Sequence, residues 1–301
     1  MSFLLKEVPE SGPSPYLRIF WAVAIVAFCV IFQMSVLLAA RQGLGKNLSF
    51  IASLILGLIL PAVLIVIRLS PNPSETLRLR GIPFPSAICV AGSAVCFTIL
   101  ATFSIAFALR TWDLPPEFQV LLEEEERLLR EVFSFESALD LFTVAAAVVV
   151  IAPVAEELLF RGLLQGSLER RLGSWVGIVV AGLVFGLLHG RLRFLPVSLL
   201  GILMGYMVMR TNSILSGVLA HSCNNGLVLV LGVSAGPEFL PLTYLVGGVV
   251  LGAAGLIAFL WFFRKSTLTA PRITRITCST HRALAPPTKI QRQRYTIKGP
   301  T

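Results

Sequence analysis

Three short runs place charged or amide side chains inside otherwise apolar sequence. Ala155-Glu156-Glu157-Leu158-Leu159-Phe160-Arg161 follows a stretch with no charge from Leu141 to Ala155. Phe185-Gly186-Leu187-Leu188-His189 closes a second apolar stretch, and His221-Ser222-Cys223-Asn224-Asn225 interrupts a third. The chain has only three histidines, and two of them lie in these runs. An ionisable group within hydrocarbon is costly, so each run is a functional candidate by default.

Spacing divides the labour. Glu157 and Arg161 are one helical turn apart and can pair, whereas Glu156 is rotated about 100° from Glu157 and is left for other work. Phe185 shares a face with His189, and His221 shares one with Asn225, Asn224 lying close by. Each run has a plain structural reading: a helix-end ion pair with a spare carboxylate, an interfacial histidine, or polar contacts joining helices at about 1–2 kcal/mol or less. Taken together, they match the needs of water adding to an amide or ester. Glu156 and His189 can take a proton from water, and an imidazole can return it to the leaving amine. His221 and Asn225 can donate to the oxyanion, a role worth about 2.7–4 kcal/mol per donor in comparable sites. Glu156, His189 and His221 could instead hold Zn²⁺ with an open position for water. The sequence lacks His-Glu-x-x-His and Asn225 is a poor zinc ligand, so the expectation is a metal-free site, with zinc as the alternative.

Glu-Glu-x-x-x-Arg, Phe-x-x-x-His and His-x-x-x-Asn, in that order, resemble the motifs of the CAAX prenyl protease and bacteriocin-processing family of intramembrane endopeptidases. The resemblance covers about residues 139–233. It implies that Glu156 and His189 activate water, that His221 and Asn225 stabilise the oxyanion, and that Glu157 and Arg161 shape the site or position substrate. The implied partner is a peptide or protein, with lipidated substrates included. A second class is non-enzymatic: a transporter or proton relay, or a self-immunity scaffold with a degenerate site.

These residues need membrane helices to position them. The chain has 301 residues, 55% hydrophobic and 14% charged, with a mean hydropathy of +0.83. Soluble domains run near 45–50% apolar and about 25% charged. The five cysteines fit no disulfide framework. The expected fold is an all-α, polytopic transmembrane bundle of eight spans, near Ile19–Ala40, Leu48–Ile67, Ser86–Leu109, Leu139–Ala155, Ser174–Leu188, Phe194–Met209, Ile214–Val233 and Leu240–Phe263. The fifth and sixth are short for a crossing. The first is read as an uncleaved span.

Charge sets the orientation. Residues 264–301 carry nine Lys or Arg and no acid, so the net charge of +9 belongs to this tail and the rest balances at zero. The tail favours anionic lipid over nucleic acid and puts both termini in the cytoplasm, at the plasma membrane if the host is bacterial. The expected organisation is 1–138 as N-terminal spans plus an outward acidic loop, 139–263 as the catalytic membrane domain, and 264–301 as a disordered basic tail. Residues 161–173 read as an inward turn. Pro115 to Ser137 reads as an amphipathic surface helix, a solvated connector in preference to a gate. Gly182 with Gly186, Gly201 with Gly205, and Gly248 with Gly252 mark close helix packing.

Overall fold

The computed structural model describes residues 19–70, 72–132, 135, 137–233 and 240–268, and among them the chain is helical with no strand. The expectations for the tail beyond residue 268 lie outside the described residues. The helices in chain order are α1 (Ile19–Ala40), α2 (Lys46–Arg68), α3 (Phe84–Thr111), α4 (Pro116–Val132), α5 (Ala138–Leu172), α6 (Ser174–Leu187), α7 (Phe194–Thr211), α8 (Ile214–Val233) and α9 (Leu242–Leu268). Seven of them are long and apolar enough to cross a bilayer. Phe20, Phe84, Phe142, Leu251 and Ile257 point outward, as they do when the solvent is lipid. The chain is an integral membrane protein.

The fifth expected span is α6, and it is short. Its 14 residues extend about 21 Å at 1.5 Å each, against a hydrocarbon layer about 30 Å thick. It is held against α7 by small residues. A Cβ on Gly201 would lie 3.0 Å from Gly182 Cα, and one on Gly186 would strike Ser198. Backbone approach this close explains how a short helix stays seated. Helices α3 and α9 pack the same way: a Cβ on Gly252 would sit 2.8 Å from the Leu100 nitrogen.

One expected boundary moves. The segment 161–173, read as a turn, is helix to Leu172, so α5 runs for 35 residues. The reason lies in a stripe at four-residue spacing, Glu157, Arg161, Gln165 and Glu169. Gln165 Nε2 donates to Glu169 Oε1 at 2.8 Å and to the Gly205 carbonyl at 2.9 Å. Glu169 is ion-paired with Arg78 from the loop after α2. Polar residues that satisfy one another on a single face need not leave the helix. Gly173 then ends α5 at φ +86 and ψ 159, a region open essentially to glycine alone.

Two helices carry widened turns just before a proline. Ser53–Ile59 in α2 and Ala146–Ile151 in α5 are π-helical, and Pro61 and Pro153 follow. Proline has no N–H to return to the preceding turn, so the ladder must break or widen there. The expected surface helix exists as α4. Glu125 on α4 is ion-paired with Arg193 in the turn between α6 and α7.

Candidate active site

The middle of α5 supplies both carboxylates, and their surroundings differ. Glu157 and Arg161 are fully buried, with Arg161 Nη1 3.3 Å from Glu157 Oε1. Arg161 Nη2 also donates to the Gly201 carbonyl at 3.2 Å. Gly217 on α8 makes room for this carboxylate, since a Cβ there would collide with Glu157 Oε2. Glu156 keeps a 20% exposed side chain. The more accessible carboxylate is therefore Glu156, while its neighbour is paired with Arg161 inside the bundle.

His189 comes from the end of α6. Its Nδ1 donates to the Phe185 carbonyl one turn earlier at 2.8 Å. A carbonyl only accepts, so the proton sits on Nδ1 and the other ring nitrogen is the one left to accept in the neutral ring. That nitrogen, Nε2, faces Glu156 Oε2 at 3.8 Å. From α8, His221 Nε2 reaches the same oxygen at 3.9 Å, and its Nδ1 lies 3.5 Å from Glu157 Oε1. Three helices thus bring two imidazoles to one carboxylate oxygen.

Phe185 holds this arrangement at its spacing. Its ring lies 4.5 Å from the His189 ring and 5.6 Å from the His221 ring, the latter edge-on at 88°. The Arg161 guanidinium sits over the same ring, 4.6 Å from its centre, within range of a cation–π attraction. Phe160 packs against it at 74°. A flat, fully buried ring separates the guanidinium from the imidazoles without offering either a hydrogen bond.

Asn225 stands one turn beyond His221 on α8, about 6 Å along the axis. Its Nδ2 donates to the Val148 carbonyl at 2.9 Å, and its Oδ1 accepts from Asn224 Nδ2 at 3.0 Å. Asn224 Oδ1 in turn accepts from Thr98 Oγ1 on α3 at 2.8 Å. An amide nitrogen carries two hydrogens, so one N–H of Asn225 remains for another partner. Glu156, Glu157, Arg161, Phe185, His189 and His221 form one cluster, whereas the hydrogen bonds of Asn225 run to Val148 and Asn224. Sequence reasoning missed Gly217, Gln165 and Thr98. Gln165 was legible as the third member of the four-residue stripe, but Gly217 and Thr98 carry no local signal.

Among the described residues no group of three His, Cys, Asp or Glu side chains is placed to hold a metal ion.

Residues 138–227 match the family model described as type II CAAX prenyl endopeptidase Rce1-like. The chain is also 24% identical over 217 residues to a Bacillus subtilis (strain 168) protein named "Putative membrane peptidase YdiL", a match covering 70% of this chain and 82% of that one. No solved structure matches. Both matches support the kinship with the CAAX prenyl protease family read from the three motifs, and the matched segment takes in all of them.

Proposed function

We propose that this chain, Rce1-like across residues 138–227, is an intramembrane endopeptidase that hydrolyses a peptide bond with water activated by Glu156 and His189. The observation that carries this reading is the meeting of His189 Nε2 and His221 Nε2 at Glu156 Oε2, at 3.8 and 3.9 Å. Those distances exceed a direct hydrogen bond, and a water reaching both groups would sit to one side of the line between them.

Water positioned there gives a proton to Glu156, with His189 Nε2 as the second acceptor, as its oxygen bonds to the scissile carbonyl carbon. The carbonyl oxygen takes the negative charge and is met by N–H groups of His221 and Asn225. Collapse breaks the C–N bond, and the proton returns to the leaving nitrogen. The products are a carboxylic acid and an amine, which then exchange a proton to give the carboxylate and the ammonium. Glu157 and Arg161 hold α5 and α8 in register, and Phe185 fixes the ring spacing.

The substrate class follows from location. A site within the bilayer takes a peptide bond that lies at or in the membrane, and a lipid-anchored peptide meets that condition. With α6 counted as an eighth crossing and the basic C-terminal tail as the guide, both termini face the cytoplasm.

The test uses the full chain in detergent with a fluorogenic, prenylated C-terminal peptide. Wild type is expected to cleave it, while Glu156→Gln and His189→Ala lose cleavage and keep their helical content and melting temperature. Near-normal turnover in either variant overturns the assignment. Loss with chelator and recovery with zinc overturns the metal-free mechanism instead. Intact proton transport with no hydrolysis favours the non-enzymatic class.

A further inference from the structure

We infer that Pro153, Asn224 and Thr98 are positioning residues for Asn225, acting through a main-chain carbonyl that Pro153 leaves open in α5. The inference rests on the reading of Asn225 as an oxyanion donor and extends it to residues that touch neither water nor substrate.

The ladder of α5 shows where the open carbonyl comes from. In the widened register of Ala146–Ile151, the Ala152 N–H bonds the Ala147 carbonyl five residues back. The Val148 carbonyl is then due to receive the N–H of residue 153. That residue is proline and has none. Membrane helices tolerate such a break where a neighbouring helix supplies the donor. Here the donor is Asn225 Nδ2, at 2.9 Å.

The open carbonyl also decides which way the amides face. Val148 O bears no hydrogen, so only the nitrogen of Asn225 can face it. Asn225 Oδ1 must then find a donor, and Asn224 Nδ2 supplies it at 3.0 Å. This turns Asn224 Oδ1 toward Thr98, whose buried hydroxyl donates to it at 2.8 Å. The single Thr98 hydrogen is shared with the Ala94 carbonyl at 2.9 Å. A flip of Asn225 would set its oxygen against Val148 O, and a flip of Asn224 alone would set its oxygen against Asn225 Oδ1. Asn225 therefore has one orientation, on the α8 face that carries His221, with its second N–H left for another partner. Val148, Ala152 and Glu156 share a face of α5, so the anchor and the reacting carboxylate lie on the same stripe.

A melting cycle and a kinetic series on the full-length chain in detergent test this. Asn225→Ala is expected to lower the melting temperature by stranding Val148 O. Pro153→Ala supplies a main-chain N–H, so Pro153→Ala/Asn225→Ala should regain most of that loss. Additive shifts in the cycle overturn the anchor, whether or not the chain is a peptidase. Turnover should behave differently. With the prenylated peptide probe, Pro153→Ala and Thr98→Val are each expected to lower kcat about tenfold or more with KM little changed, because the donor is present but unaimed. Thr98→Ser should restore turnover, and the double variant should stay inactive despite its recovered stability. Wild-type kcat in both Pro153→Ala and Thr98→Val overturns the positioning role. If wild type cleaves no probe, the peptidase reading fails, and the Asn225 side-chain amide resonance decides the orientation by shifting in Thr98→Val but not in Thr98→Ser.

Discussion

A Cβ on Gly217 would fall on Glu157 Oε2, so α8 approaches α5 closely at the residue that neutralises Arg161. Gly to Ala in a helix ordinarily stabilises by about 0.8–1 kcal/mol. Here the sign should reverse. Gly217→Ala is expected to destabilise by about 1–3 kcal/mol through overpacking, read as a lower melting temperature, with peptide cleavage reduced alongside. A rise in melting temperature would mean that the carboxylate has room to move.

The ion pair beneath that contact makes a second prediction. Glu157 and Arg161 are both fully buried, so removing one partner strands the other. Arg161→Met should cost about 3–5 kcal/mol, and Glu157→Leu/Arg161→Met should cost less than Arg161→Met alone. Thermal unfolding of the three proteins in the same detergent checks the ordering, and a double variant weaker than the single would contradict it.

Phe185 should separate stability from chemistry. Phe185→Ala removes a buried ring and should cost about 3–5 kcal/mol. Phe185→Leu keeps apolar volume but loses the flat face between Arg161 and the two imidazoles. It should fold, by circular dichroism, and turn over substrate about tenfold more slowly. Equal activity in Phe185→Leu and wild type would show that the ring serves as filler.

Glu125 on α4 pairs with Arg193 in the turn that follows His189, and these side chains are 25% and 41% exposed. Screening limits such a pair to about 0–1 kcal/mol. Glu125→Gln should leave global stability nearly unchanged and raise amide hydrogen exchange along α4, and high salt should do the same to wild type. Exchange in α4 that ignores both changes would place its anchorage elsewhere.

Much of this was readable before any coordinates. The all-helical membrane fold follows from composition, because a chain this apolar has nowhere to hide its surface except lipid, and lipid forbids an unpaired backbone. The three motifs follow from the cost of ionisable groups in that setting. The 161–173 turn was misread because charge was taken as a sign of the membrane edge. Arg161 and Glu169 instead find partners within the bundle, at Glu157 and Arg78.

Residue type and spacing alone determined which groups could react and which of two adjacent carboxylates would be paired with Arg161, since both depend on the period of one helix. Only the tertiary structure decided that His189 and His221 share a single oxygen of Glu156, that Gly217 leaves space for Glu157, and that Asn225 is anchored to Val148. Those are contacts between helices far apart in sequence. They depend on how closely the backbones approach, and periodicity within one helix carries no information about that distance.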